Sequence, residues 1–226
     1  MNYPLNDNHE GEFVTLIDYD WTLANTTESS DDLWLMIAEQ SEIALEQVAA
    51  DGAGFHPSHL GGYDITKHVD SYGLDEDELW EELDYMAEVA ADRNPPAYLY
   101  SDSALFMRNL IRNGLSPSIL TFGEDRFQRA KINPNLDYLS DGTTYQIPVD
   151  TVMEGKGEFI ARTYPNKKGV LVDDKPGQKL PDGFTEIQLD RAADLQDPKK
   201  IESGFIVADL FQAQQIIEQI KNETAQ

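Results

Sequence analysis

The sequence contains no cysteine, which excludes disulfides, Cys-ligated zinc and thiol chemistry. Bases are scarce. Lys and Arg number 17 against 42 Asp and Glu, for a net charge of −25 at pH 7. A field of that sign argues against nucleic acid or an anionic membrane surface as a partner. No apolar stretch approaches the roughly 20 residues that a membrane-spanning helix needs. The opening segment, Met1 to Gly11, is polar and has no apolar centre of the kind a signal peptide carries, so a loosely docked tail and a cytoplasmic location are expected. Internal repeats and low-complexity runs are also missing. Acidity of this degree also occurs in proteins adapted to high salt. What is present suffices for a packed core: 226 residues, 40% of them hydrophobic, fit one large α/β domain or a core domain with an insert.

The chain is organised around Phe13-Val14-Thr15-Leu16-Ile17-Asp18-Tyr19-Asp20-Trp21-Thr22-Leu23. An apolar run reads as a buried strand and ends in two carboxylates two residues apart. Ligands of open α/β sheets bind at such strand ends. Carboxylates this close repel one another, so a divalent cation is expected beside them. The spacing suits phosphoryl transfer, with Asp18 attacking phosphorus and Asp20 exchanging protons with the leaving group and water. A strand end capped by solvated acids is the plainer alternative.

Downstream the pattern divides in two. Residues 29–95 read as helices: one starting at Ser30-Asp31-Asp32, one from Ser41 to Ala50, one over Ile65 to Tyr72, and one over Asp75 to Ala91 with Leu79, Leu83, Met86 and Ala90 at helical spacing. Asp51 to Tyr63 holds four glycines and a proline and reads as a loop. From Ser103 onward, helices alternate with strands: Ser118 to Phe122, Tyr145 to Val149, Gly169 to Val172, Phe184 to Leu189 and Phe205 to Val207, closed by a helix over Ala208 to Lys221. That alternation predicts a doubly wound parallel sheet.

Four further residues join the first pair. Thr121 ends an apolar strand and offers a hydroxyl. Asp173 and Asp174 end the strand Val170-Leu171-Val172 and repeat the acidic context of Asp18 and Asp20. Hard oxygen ligands in small number suit Mg²⁺. Lys156 opens the helix before the Asp173 strand and is preferred as the phosphate's cation over Lys131, ten residues after Thr121. A zinc site at His56-Pro57-Ser58-His59 with His68 has loose spacing and no cysteine, and a substrate-contacting or plain surface loop accounts for it more simply. Trp34 and Trp80 sit at helical positions and read as core.

Together, Asp18-Tyr19-Asp20-Trp21-Thr22, Thr121, Lys156 and Asp173-Asp174 resemble, in order and strand context, the four motifs of the haloacid dehalogenase (HAD) superfamily. The resemblance covers about residues 13–28 and 97–215. It implies a Rossmann-like HAD core of residues 1–28 and 96–226, with residues 29–95 as a helical C1-type cap inserted after the first motif. It implies Asp18 as nucleophile, Asp20 as acid and base, and Thr121 and Lys156 on the phosphoryl oxygens. It also implies Mg²⁺ held by Asp18, the backbone carbonyl of Asp20, Asp173 and Asp174. Family dehalogenases and phosphonatases lack an acid at the place of Asp20, and P-type ATPases carry Thr there. Asp20 therefore implies hydrolysis of a small phosphorylated metabolite, or transfer between hydroxyls as in a phosphomutase. A catalytically idle member that binds a metal or a partner is the third option. Trp21 departs from the Gly that many family phosphatases carry, narrowing the turn or offering a ring to stack on the leaving group.

Overall fold

The computed structural model describes residues 13–55, 63–140 and 144–224. The opening tail, His56 and His59 lie outside them. The first elements are strand β1 (Phe13–Ile17) and helices α1 (Thr26–Ser41), α2 (Leu45–Gly52), α3 (Ile65–Asp70), α4 (Glu76–Ala91) and α5 (Ser103–Arg112). Then come β2 (Ser118–Phe122), α6 (Asp125–Ile132), α7 (Leu136–Ser140), β3 (Val149–Val152) and α8 (Lys156–Thr163). The last are β4 (Lys168–Asp173), β5 (Phe184–Leu189), β6 (Lys199–Lys200), β7 (Gly204–Val207) and α9 (Leu210–Thr224).

The strands form one sheet in the order β3-β2-β1-β4-β5-β7-β6. Every pairing is parallel except β6 with β7. This is the doubly wound α/β sheet that the alternation of helices and strands predicts. The apolar run of β1 lies at its centre because neither face meets water: Val14, Leu16 and Ile17 are fully buried. From β1 the chain goes to β2 and β3 on one side, then returns to β4 on the other. The reversal point, where a crevice opens beyond the strands' carboxyl ends, therefore lies at β1.

The helices α1 to α4 bury a cluster of their own, including Leu33, Met36, Ile37, Val48, Ile65, Leu79, Trp80 and Leu83. Phe127 of α6 joins that cluster from the sheet's side. Asp75 starts α4 as its N-cap, accepting from the amides of Asp77 and Glu78, and Glu76, Asp77 and Glu78 favour its positive end.

Several boundaries differ from those the sequence predicts. Helix α1 begins at Thr26, before Ser30; its first turn is polar and carries no apolar periodicity to mark the start. Glu42 is not in the first turn of the second helix; it closes α1 in the left-handed conformation at φ 56°, and α2 starts at Leu45. The strand expected at Tyr145 to Val149 runs from Val149 to Val152 instead. Pro148 has no N–H to give the ladder, so it contributes only its carbonyl, which accepts from the Ile119 amide at 2.8 Å. The two-residue β6 has no apolar pattern to reveal it, and its lysines suit an exposed sheet edge.

Candidate active site

Asp18 is the first residue beyond β1, and its amide donates to the Val172 carbonyl at 2.8 Å. Asp173 is the last residue of β4, the neighbouring strand. Thr121 lies near the end of β2, on the other side of β1. Sheet register alone thus gathers the three at one edge, at the reversal point. The turn after Asp18 is held from behind, where the Arg191 guanidinium donates to the Thr22 carbonyl and the Ser103 hydroxyl to that of Leu23.

Lys156 is the first residue of α8. The next residue, Gly157, lets the helix start press against the loop after β4: a Cβ there would stand 2.5 Å from the carbonyl oxygens of Gln178 and Lys179. This close approach buries Lys156, whose Nζ lies 2.5 Å from Asp18 and 2.7 Å from Asp173. Burial pushes the Asp18 carboxyl up to about 8, with Asp173 adding to the effect while Lys156 opposes it. Burial alone would lower Lys156; the charges of Asp18 and Asp173 reverse this and hold it above an ordinary lysine.

Asp20 has a different partner. Both its oxygens accept from the Lys131 ammonium, at 2.7 and 2.8 Å, and one also accepts from the Thr26 hydroxyl at 3.0 Å. Burial would raise its carboxyl, but Lys131, with Thr26 and Gln128, outweighs burial and leaves it below the usual range. The Thr26 oxygen in turn accepts from the Trp21 amide at 3.1 Å, tying the start of α1 to the turn. Trp21 sits there with φ 62°, a left-handed conformation that glycine adopts without cost and a side chain does not. Its half-exposed ring faces the crevice.

Asp18, Asp173 and Asp174 offer carboxylate oxygens that all lie within 4.8 Å of one another. One Asp174 oxygen is buried with no hydrogen-bond partner, and burial together with Asp173 raises its carboxyl. Three hard anionic donors, one of them orphaned, fit a small divalent cation such as Mg²⁺.

Comparisons with known proteins bear on this arrangement. No protein-family profile and no curated protein sequence matches the chain. Solved structures do. A protein from Burkholderia xenovorans LB400 described as a haloacid dehalogenase-like hydrolase aligns over 92% of this chain and 98% of its own, with a TM-score of 0.60 and 20% identity. YfnB from Bacillus subtilis, described as a HAD-hydrolase bound to magnesium, aligns over 91% and 98%, with a TM-score of 0.54 and 14% identity. A haloacid dehalogenase-like family hydrolase from Xanthomonas campestris aligns over 95% and 99%, with a TM-score of 0.51 and 14% identity. The chain has the HAD-like fold.

Within this HAD-like framework, Asp18, Asp173, Asp174 and Lys156 converge on one point. The Asp20 carboxylate turns away from them to Lys131. Thr121 is buried, and its hydroxyl donates to Gln128 at 3.2 Å. His68 is enclosed in the helical block, stacked on Phe55 with ring centroids 4.6 Å apart. Trp80 is core as expected. Trp34 is not wholly so: its ring lines a cavity, because α1 turns that face toward the sheet edge.

That cavity has a volume of about 630 Å³ and runs from the carboxylates to the helical block. Gln128, Lys131 and Asn135 all border it. Lys131 is pinned from behind, its carbonyl accepting from Tyr19 and Asn135 and its ammonium resting 4.8 Å from the Phe127 ring centre. Sequence reading took Lys131 only as a rival phosphate ligand and missed Thr26, Gln128 and Asn135. A signal existed for Gln128: it stands three positions before Lys131 just after the Thr121 strand end, the spacing of one helix face, whereas Asn135 follows Pro134, past the end of α6.

Proposed function

We propose that the protein is a Mg²⁺-dependent phosphohydrolase acting on a small phosphomonoester through an aspartyl-phosphate on Asp18. The observation that carries this reading is the buried Asp18–Lys156–Asp173 group with Asp174 beside it, of which Asp18, Lys156 and Asp174 line a ligand-sized cavity. Asp18, the backbone carbonyl of Asp20, and the pair Asp173 and Asp174 would hold the metal, which supplies positive charge against the phosphoryl oxygens.

The chain's own residues do the rest. Asp18 attacks phosphorus, and Lys156, beside its carboxylate, neutralises charge on the transferring group. Thr121 offers a hydroxyl to a phosphoryl oxygen once released from Gln128. Asp20, held as a carboxylate by Lys131, is set to take a proton from the water that cleaves the acyl phosphate. To act as an acid on the leaving oxygen in the first step it must let go of Lys131.

Residues 29–95 act in this proposal as a cap over the core of residues 1–28 and 96–226, closing the cavity and excluding water. In this proposal the partner is a small phosphorylated metabolite and the location is the cytoplasm. No helix among the described residues is long and apolar enough to cross a membrane. Incubation with p-nitrophenyl phosphate, with Mg²⁺ and with EDTA, tests the reading. Release of p-nitrophenol only with the metal supports it. No turnover of this or of a panel of sugar, nucleotide and amino-acid phosphates overturns it.

A further inference from the structure

The cavity is much larger than a phosphoryl group and falls within the 300–1,000 Å³ typical of sites that enclose a whole small molecule. Its two ends differ. At the sheet edge are the carboxylates and the cations that line the cavity among the described residues: Lys156 committed to Asp18 and Asp173, Lys131 committed to Asp20, and Lys175 on the loop after β4. The wall away from that edge is apolar and aromatic, built from Leu33, Trp34, Tyr63, Leu83 and Met86, and Phe127 links it to Lys131, whose ammonium lies 4.8 Å from that ring's centre. The rings there are fixed in place. Tyr63 meets Trp34 edge-on at 5.1 Å and Phe127 at 5.9 Å, and its hydroxyl is 2.7 Å from His68. One narrow polar strip, Thr27, Ser29, Ser30 and Asp31 at the start of α1, runs along the side. Among the described residues that line the cavity from α1 to α4, Asp31 bears the sole charge, and it is negative.

We propose that the leaving group accepted here is neutral and ring-sized, an aryl or arylalkyl alcohol, in preference to a sugar or to an alcohol bearing a second phosphate or a carboxylate. This rests on the phosphohydrolase reading. Aromatic edges and aliphatic side chains gain by covering a ring. The α1 strip can meet a hydroxyl or amide substituent on it. A second anion at the far wall would be desolvated beside Asp31, and among the described residues the nearest lining cation, Lys131, is already held by Asp20, which is the arrangement that rejects a ligand. A sugar would set most of its hydroxyls against Leu33, Leu83, Met86 and the faces of the rings, which cannot bond to them, and the α1 strip can meet only some of them.

The test compares alkyl esters, so that leaving-group acidity does not enter. With Mg²⁺ present, kcat/KM is measured for 2-phenylethyl phosphate, ethyl phosphate, glucose 6-phosphate and hexane-1,6-diyl bisphosphate. The expected result is a preference of about a hundredfold for the phenylethyl ester over each of the others, most of it in KM, in line with what a filled apolar pocket discriminates. Met86→Lys puts a cation on the far wall; it should cut that preference at least tenfold, with the bisphosphate gaining. A second measurement needs neither a variant nor turnover. Calorimetric titration of the wild-type protein should show 2-phenylethylphosphonate binding at least tenfold tighter than ethylphosphonate. Turnover of all four esters within a few-fold of one another, or equal binding of the two phosphonates, overturns the proposal and leaves the phosphohydrolase reading standing. Turnover of none of them, with or without Mg²⁺, overturns both.

Discussion

Replacing Lys156 with Met keeps the length of the side chain and removes its charge. The ammonium is buried and touches two carboxylates, one of them 0% exposed, so water cannot take its place. Removing one partner of a buried ion pair costs about 3–5 kcal/mol. The lower end applies here, because Asp18, already pushed up to about 8, can take a proton and relieve part of the repulsion. For a chain of this length a loss of about 3 kcal/mol lowers Tm by about 6–12 °C. Mg²⁺ supplies the missing charge and is worth about 2.7 kcal/mol at a hundred times its Kd. Thermal melts of both proteins in EDTA and in saturating Mg²⁺ should therefore show a larger metal-induced rise in Lys156→Met than in the wild type, narrowing the gap. Activity should remain low even with the metal, since the phosphoryl group still lacks its lysine. A fall in Tm under 2 °C in EDTA, or a metal-induced rise no larger than the wild type's, would refute the view that Lys156 is the electrostatic hub of the site.

In the wild type, millimolar-scale Mg²⁺ should raise Tm by several degrees over EDTA, because it relieves repulsion among Asp18, Asp173 and Asp174; no shift together with undiminished activity in EDTA would sink the metal assignment. Residues 29–95 hold 17 acids and two bases, a net −15. That field opposes an anionic substrate, so kcat/KM for a charged phosphomonoester should rise with moderate salt until screening is complete, and a monotonic fall from the lowest salt would count against this. His68 is held neutral by burial, with Asp51 opposing, so its pKa lies below the ordinary value of 6.5. The unfolded chain then binds more protons just below that pH, and stability should drop as pH falls from 7 to 5. Urea midpoints should depend less steeply on pH across this range in His68→Asn, and identical slopes would refute the link.

The parts of this protein that were legible in its sequence are those fixed by local pattern. The apolar run into Asp18 and its counterpart into Asp173 show as buried strands because both faces of a central parallel strand are apolar, and their parallel, doubly wound arrangement then follows from the alternation with helices. The Lys131 clamp on Asp20 was illegible because its partners are 111 positions apart and meet through the packing of α6 beyond the end of β1. Trp21 shows the same limit. Sequence marked it as a departure from glycine, but the physical reason, a left-handed backbone, exists only once the turn is closed by Ala24 and Thr26. The start of α1 was missed because Thr26 serves the site, accepting from the Trp21 amide and donating to Asp20, and the turn that carries it has no apolar face to announce a helix.

The central claim is that Asp18 carries the phosphoryl group and Asp20 discharges it. The Asp20→Asn variant separates the two roles, since p-nitrophenolate leaves with little help from an acid but the second step still needs a base. Rapid quench with p-nitrophenyl phosphate and Mg²⁺, followed by intact mass and peptide mapping, should show one burst of p-nitrophenol and a phosphoryl adduct on Asp18 that decays slowly. Turnover by Asp18→Asn, or an Asp20→Asn protein that slows both steps equally and never accumulates the adduct, would contradict the account.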